Sequence, residues 1–121
     1  MKERLIQDLS KVFEKNQILT SDLYREIYSR DGSYFNIKPE VIVRPENAAE
    51  VQQLLAIARS HQVGITFRTG GTSLSGQTVN DGIICELRTA WKRNEVRENG
   101  KKIWFEPGLT AAQVNKLLRT Y

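Results

Sequence analysis

The sequence predicts an α+β fold: a small two-layer α/β unit with a strand–helix–strand segment and a short mixed sheet, preceded by N-terminal helices. Residues 41–67 read as a β-branched strand, an amphipathic helix and a second apolar strand, which is the order of parallel α/β units. Residues 96–106 read as an antiparallel hairpin around Asn99-Gly100. Because both patterns occur within 121 residues, we expect one domain with a modest core.

The N-terminal part predicts two helices. Residues 2–16 form the first, and its apolar side chains recur near helical spacing at Leu5, Ile6, Leu9, Val12 and Phe13. Thr20 or Ser21 can cap a short second helix over residues 22–28. A turn then follows at residues 30–33.

The first predicted strand covers residues 41–44 and is ended by Pro45. Asn47 can cap the next helix, and Glu50 can complete a capping box. The apolar face of that helix comprises Val51, Leu54, Leu55, Ile57 and Ala58. With a second strand at residues 65–67, this pattern predicts a parallel pair joined by a right-handed crossover.

A third strand is predicted at residues 83–87, and it contains the single cysteine of the chain, Cys85. We expect a buried structural thiol there, since no partner base is evident. After the hairpin, Thr110 and Gln113 form a capping box that begins the last helix. The buried side of this helix is predicted to be Val114, Leu117 and Leu118.

Composition excludes several classes of protein. One cysteine rules out an internal disulfide and any multi-cysteine metal site. No apolar stretch is long enough for a transmembrane segment. The net charge of +4 is concentrated around residues 88–102, which is either a patch for nucleic acid or a solvated hairpin. We expect the hairpin and no nucleic acid, because no aromatic platform accompanies the charges. The only histidine, His61, ends a predicted helix and complements its dipole.

The most informative stretch is residues 67–77, F-R-T-G-G-T-S-L-S-G-Q. Glycine permits positive φ and close approach, so that successive backbone N–H groups can form a nest for an anion. Threonine and serine hydroxyls add donors, and Arg68 adds a planar cation suited to phosphate. The loop follows the second predicted strand, at the carboxyl edge where α/β units bind ligands. The sequence therefore predicts a phosphate-binding loop.

Two common nucleotide motifs fit this loop poorly. Residues 71–78 match the frame G-x-x-x-x-G-K-[ST] except that Gln77 replaces the lysine that contacts the outer phosphates. That motif requires a helix directly after the loop, and none is predicted here. The dinucleotide frame G-x-G-x-x-G does not occur around these glycines. A degenerate nucleoside-triphosphate site therefore stays as an alternative.

The run R-T-G-G-T-S-L-S-G-Q closely resembles the pyrophosphate loop of the FAD-linked oxidases, the family that includes vanillyl-alcohol oxidase and p-cresol methylhydroxylase. The flanking segments V-I-V-R-P-E-N-A-A-E-V and F-E-P-G-L-T resemble the same family in order and spacing, over about residues 38–118. The endings S-L-S-G-Q and T-A-A-Q-V-N-K-L-L are most similar to the D-lactate and D-2-hydroxyacid dehydrogenase branch. Within it they resemble the large proteins that fuse the flavin domain to an iron–sulfur module.

The resemblance implies FAD as cofactor and assigns roles to named positions. Residues 69–73 present backbone N–H groups to the pyrophosphate, while Arg68 either reaches a phosphate or braces the turn. The far end of the loop closes toward the flavin, and the Pro-Gly segment contacts the adenosine end. The complete cofactor-binding set is Arg68, Thr69, Gly70, Gly71, Thr72, Ser73, Leu74, Gly76, Gln77, Pro107 and Gly108.

The resemblance also implies that the chain is an N-terminal fragment of a larger oxidoreductase. Residues 1–37 are expected to be a helical lead-in on the domain surface, and residues 38–121 the first half of a p-cresol-methylhydroxylase-type FAD-binding domain. Its partners are the C-terminal subdomain and substrate domain of the parent protein. No catalytic or metal-binding residue is expected here; any iron–sulfur cluster lies outside the chain. We expect an inactive fragment of a cytoplasmic protein, with membrane association through the parent left open. The alternative is a non-enzymatic basic interaction module.

Overall fold

The computed structural model describes residues 2–121. Its helices and strands, in chain order, are α1 (Lys2–Leu9), β1 (Ile18–Leu19), α2 (Asp22–Ile27), β2 (Val41–Val43), α3 (Ala48–Ser60), β3 (Ile65–Arg68), β4 (Ile83–Glu86), β5 (Asn94–Arg97), β6 (Lys102–Phe105) and α4 (Ala111–Leu118). A single 3₁₀ turn at Lys15–Gln17 precedes β1. The predicted α+β class is confirmed.

The main sheet has the strand order β1-β2-β4-β3, and β5 and β6 form a separate two-stranded sheet. Strands β2 and β3 are each parallel to β4, which lies between them. The predicted strand–helix–strand unit is therefore parallel, but its two strands are not hydrogen-bonded neighbours. Strand β1 pairs antiparallel with β2 and makes the sheet mixed. With only two residues, β1 is too short for periodicity to reveal.

One face of the main sheet packs against α1 and α3. The buried cluster on this face comprises Leu5, Leu9, Phe13, Val41, Val43, Leu54, Ala58, Ile83, Cys85 and Leu87. The opposite face carries a smaller cluster of Leu19, Ile42 and Ile84, with Tyr28 packed on it. The lead-in therefore supplies both core side chains and a strand, rather than only covering the surface. The division of the chain after residue 37 stays a prediction.

Three local predictions differ from the structure. Helix α1 ends at Leu9 instead of residue 16, and the chain turns there so that β1 can reach the sheet edge. Leu55 is 45% exposed while its neighbour Leu54 is fully buried, so Leu55 is not part of the core face. The Glu50 carboxylate accepts from Glu46 N and from Gln17 Nε2, and the expected reciprocal bond to Asn47 N is replaced.

Other local predictions are confirmed. Ser21 caps α2 by accepting a hydrogen bond from Tyr24 N. Thr110 and Gln113 form the complete capping box of α4, and Val114 is buried as predicted. Leu117 is 37% exposed, so its predicted burial is wrong. The hairpin turn has positive φ at Glu98, Asn99 and Gly100.

The charged hairpin is internally paired. Arg97 lies 2.7 Å from Glu95, and Lys102 is paired with Glu98. Arg93 lies 2.6 Å from the buried carboxylate of Glu106, and this hydrogen-bonded arginine holds the pKa of Glu106 below its usual range. These contacts match the predicted solvated hairpin. Over residues 2–121, none of the helices combines the length and apolarity needed to span a membrane.

Candidate functional site

The glycine-rich loop begins where β3 ends at Arg68 and returns to the sheet at β4. Strands β2, β3 and β4 are parallel, so their carboxyl ends lie at one edge of the sheet. The loop therefore occupies the edge at which open α/β sheets bind ligands, as the sequence predicted.

The first half of the loop presents unpaired backbone donors. In the described residues, nothing accepts a hydrogen bond from the backbone N–H groups of residues 69–74. The second half is tied down, because Ser73 Oγ accepts from Ser75 N and Gln77 N, each at 3.2 Å. Gly71 and Gly76 have φ of +65° and +73°, which glycine adopts without strain. The loop is thus a row of donors held by a closed turn, the arrangement that cradles an anion.

Arg68 points under the loop instead of across it. Its Nη1 donates to the carbonyl oxygens of Tyr28 and Thr78, at 3.2 and 3.4 Å, and its Cζ lies 4.9 Å from the centre of the Tyr28 ring. Burial lowers the pKa of this guanidinium. Of the two roles that the sequence left open for Arg68, this geometry is that of a brace for the turn.

A segment that sequence reasoning left out of the site, residues 31–35, forms the outer wall of the loop. Asp31 Oδ2 accepts from Thr78 Oγ1 at 3.0 Å, and its Oδ1 accepts from Ser33 N at 2.9 Å. The hydrogen bond from the Ser33 hydroxyl has the largest effect, and together with the other bonds from Ser33 and Thr78 it lowers the pKa of Asp31 to about 2. A β-carbon on Gly32 would meet Thr72 O at 2.9 Å. The available signal was the turn predicted at residues 30–33, but its contact with the loop joins segments that are far apart in the chain.

A cleft of about 370 Å³ lies between the loop and the segment that precedes α4. Thr69, Gly70 and Thr72 line one side, and residues 107–110 line the other, with Arg88 also in the wall. The structure therefore brings the loop and the Pro107-Gly108 segment together at one cleft. The backbone N of Gly108 donates to Trp91 O at 2.7 Å. Glycine is suited to this position because a β-carbon would lie only 2.9 Å from Leu87 O.

The remaining predicted positions lie away from this cleft. Leu74 is 82% exposed, and Gly76 packs against the ring of Phe35, where a β-carbon would clash. Gln77 accepts from Ser73 Oγ at 3.4 Å and is exposed. These three residues shape the far side of the loop. Arg88 was not predicted as a site residue; the signal for it was its position two residues after the end of β4, at the carboxyl edge of the sheet.

Two potentially reactive side chains are engaged elsewhere. His61 Nε2 lies 2.8 Å from Asp8 Oδ2, so this histidine joins α3 to α1. Cys85 is fully buried in β4, and burial raises the pKa of its thiol to about 12. The predicted structural thiol is therefore inert in the folded domain. Across residues 2–121, histidine, cysteine and acidic side chains form no cluster suited to a metal ion.

Comparison with known proteins decides the family. The FAD binding domain family matches residues 39–121. The chain belongs to this family. Its expected cofactor, FAD, is confirmed with it, and the donors of residues 69–74 and the adjoining cleft fit a group with a diphosphate.

The relatives are long proteins. The chain is 27% identical over 121 residues to D-2-hydroxyglutarate dehydrogenase of Escherichia coli strain K12, covering 96% of this chain and 12% of the relative. It is 28% identical over 112 residues to glycolate oxidase subunit GlcD of Bacillus subtilis strain 168, covering 90% of this chain and 23% of the relative. The chain thus spans less than a quarter of either relative.

A solved structure shows the same fold. The chain superposes on p-cresol methylhydroxylase with a TM-score of 0.79 at 16% identity, covering 98% of this chain and 24% of that one. The predicted p-cresol-methylhydroxylase-type architecture is confirmed.

Proposed function

We propose that this chain holds the diphosphate of FAD within a larger flavin-dependent oxidoreductase that oxidises a D-2-hydroxyacid. The observation that carries the proposal is the row of unpaired N–H donors at residues 69–74, on a loop whose other half is closed by Ser73. Such preorganised donors bind an anion without first giving up bonds within the protein. The substrate class follows the relatives, whose names are those of hydroxyacid dehydrogenases and oxidases.

The chain itself would bind and orient the cofactor. Thr69 to Ser73 hold the diphosphate, and Pro107 and Gly108 lie beside the adenosine end. When bound, FAD supplies the hydride acceptor for oxidation of a hydroxyl-bearing carbon. The base and the substrate clamp belong to other parts of the parent protein, so the isolated chain is expected to be inactive.

Exposed apolar side chains support a partner subdomain in the same parent protein. Several large apolar side chains are exposed to solvent on this small domain. Monomeric proteins rarely expose contiguous patches of such side chains. The exposed side chains are Leu23 (70% exposed), Ile27 (55%), Tyr34 (96%), Phe35 (48%) and Leu74 (82%). A cytoplasmic location of the parent protein, expected from the resemblance, stays part of this proposal.

The test is a calorimetric titration of the chain with FAD, FMN and ATP. FMN lacks the diphosphate linkage, so FAD should bind at least about 10-fold more tightly, since each charge-assisted bond contributes about 1.5–3 kcal/mol. A Gly70→Val variant should lose FAD but keep its fold, because a β-carbon there meets only Thr72, at 3.7 Å. Ala56→Val, on the exposed side of α3, is the matched control.

The alternatives give different results in the same titration. ATP binding without FAD binding would favour the degenerate triphosphate site at residues 71–78. Salt-sensitive binding of nucleic acid, lost on changing Arg93, Arg97 and Lys101, would favour the basic interaction module. The ion pairs of Arg93 and Arg97 within the hairpin count against that module.

A further inference from the structure

Arg88 stands in the wall of the cleft as a cation that has no partner within residues 2–121. It lines the cleft together with Thr69 and Gly70 and is exposed. Among residues 2–121, its guanidinium takes part in no hydrogen bond or ion pair. An unpaired guanidinium beside a row of backbone donors is suited to a phosphate, which it can bind through two parallel hydrogen bonds.

The other arginines at this edge of the sheet are already engaged. Arg68 donates to Tyr28 O and Thr78 O beneath the loop. Arg44 Nε lies 3.3 Å from the buried carboxylate of Glu86. Freeing Arg68 would take the donor from the carbonyl oxygens of Tyr28 and Thr78, and freeing Arg44 would leave the buried charge of Glu86 without its cation. Both changes are costly in a buried setting. Arg88 alone among these three can turn to a ligand without such a loss.

The far side of the cleft has a favourable field as well. Leu109 and Thr110 line it, and Thr110 is the N-cap of α4. The amino end of a helix carries a partial positive charge that favours an anion nearby. The neutral donors of the loop, the charge of Arg88 and the end of α4 therefore surround the same space.

We propose that Arg88 supplies the cationic contact to the diphosphate of FAD. This role rests on the proposed function of the loop and deepens it. The sequence pattern suggested Arg68 as the cation for a phosphate. In the structure Arg68 supports the loop, and we assign the contact with the ligand to Arg88.

The experiment compares Arg88→Gln with Arg97→Gln in the full 121-residue chain. Both variants remove one exposed arginine, but Arg97 lies on the hairpin and pairs with Glu95. FAD affinity is measured by calorimetry at 50 and 200 mM NaCl, and stability by urea unfolding. Arg88→Gln should weaken FAD binding about 10-fold or more at the lower salt and less at the higher, with an unchanged unfolding midpoint. Arg88→Lys should recover part of the affinity, since the charge returns without the fork.

The outcomes separate this role from the function of the loop. If wild type binds FAD and Arg88→Gln binds it equally well, Arg88 has no such role and the loop function stands. Equal weakening by Arg97→Gln would assign the effect to net charge and would also overturn the role of Arg88. If the wild-type chain does not bind FAD, the function proposed for the chain fails, and the role of Arg88 fails with it.

Discussion

The guanidinium of Arg68 occupies the space in which a side chain at residue 71 would begin. A β-carbon built on Gly71 would lie 2.6 Å from Cζ of Arg68, well inside van der Waals contact. Gly71 also has a φ of +65°, which side-chain-bearing residues rarely adopt. The position of Arg68 therefore depends on Gly71, because the absence of a side chain at residue 71 leaves room for the guanidinium that supports the loop from beneath.

Gly71→Ala should destabilise the domain, whereas Gly70→Ala should not. The first adds a β-carbon at positive φ and against Arg68, so we expect the free energy of unfolding to fall by about 1–2 kcal/mol. A β-carbon on Gly70 would make only an ordinary van der Waals contact, with Thr72 Cγ2 at 3.7 Å. The free energy of unfolding of Gly70→Ala should therefore stay within about 0.5 kcal/mol of the wild-type value. Urea unfolding of both variants measures the difference. Equal stabilities would contradict the bracing geometry.

Leu54 and Leu55 provide a matched pair on α3. Leu54 is fully buried and Leu55 is 45% exposed. Leu54→Ala should therefore lower the free energy of unfolding by about 2–5 kcal/mol through lost burial and a cavity. Leu55→Ala should change it by less than about 0.5 kcal/mol, since alanine is also a strong helix former. A comparable loss in both variants would show that this face of α3 is covered by something else.

Asp31 should make stability depend on pH at the acid end. Its pKa is lowered from 3.8 to about 2 by its bonds to Ser33 and Thr78. Because the folded state favours the ionised carboxyl, this stabilisation is complete above pH 4 and declines as the pH falls to 2. Thermal unfolding between pH 2 and pH 5 should show the decline, and Asp31→Asn should reduce it. An Asp31→Asn variant with the full wild-type pH dependence would assign the effect to other carboxyl groups.

Cys85 should not react with thiol reagents while the domain is folded. Its side chain is fully buried, and burial raises the thiol pKa to about 12, so both access and the thiolate are lacking at pH 8. A chromogenic disulfide reagent should label the chain in urea but not in buffer. Rapid labelling of the native chain would mean that β4 opens readily. Cys85→Ala, which cannot be labelled, is the control.

Much of this protein follows from its sequence by itself. Ser21, Asn47 and Thr110 cap helices through bonds to residues three positions on, and the hairpin turn at Asn99-Gly100 is equally local. Such contacts depend on short-range geometry, so residue type and spacing are enough to predict them. The glycine-rich loop was recognisable for the same reason, because its donors belong to one continuous segment.

Only the tertiary structure decided which partners meet across long separations in the chain. It placed β4 between β2 and β3, turned Leu55 outward, joined Asp31 to Thr78 and left Arg88 beside the loop while Arg68 was taken up beneath it. The local sequence favoured Arg68 as the ligand-binding arginine because it opens the glycine-rich loop, although the side chains of Arg68 and Arg88 are chemically identical. Their surroundings differ because the packed sheet edge offers carbonyl oxygens to the guanidinium of Arg68 and an open cleft to that of Arg88.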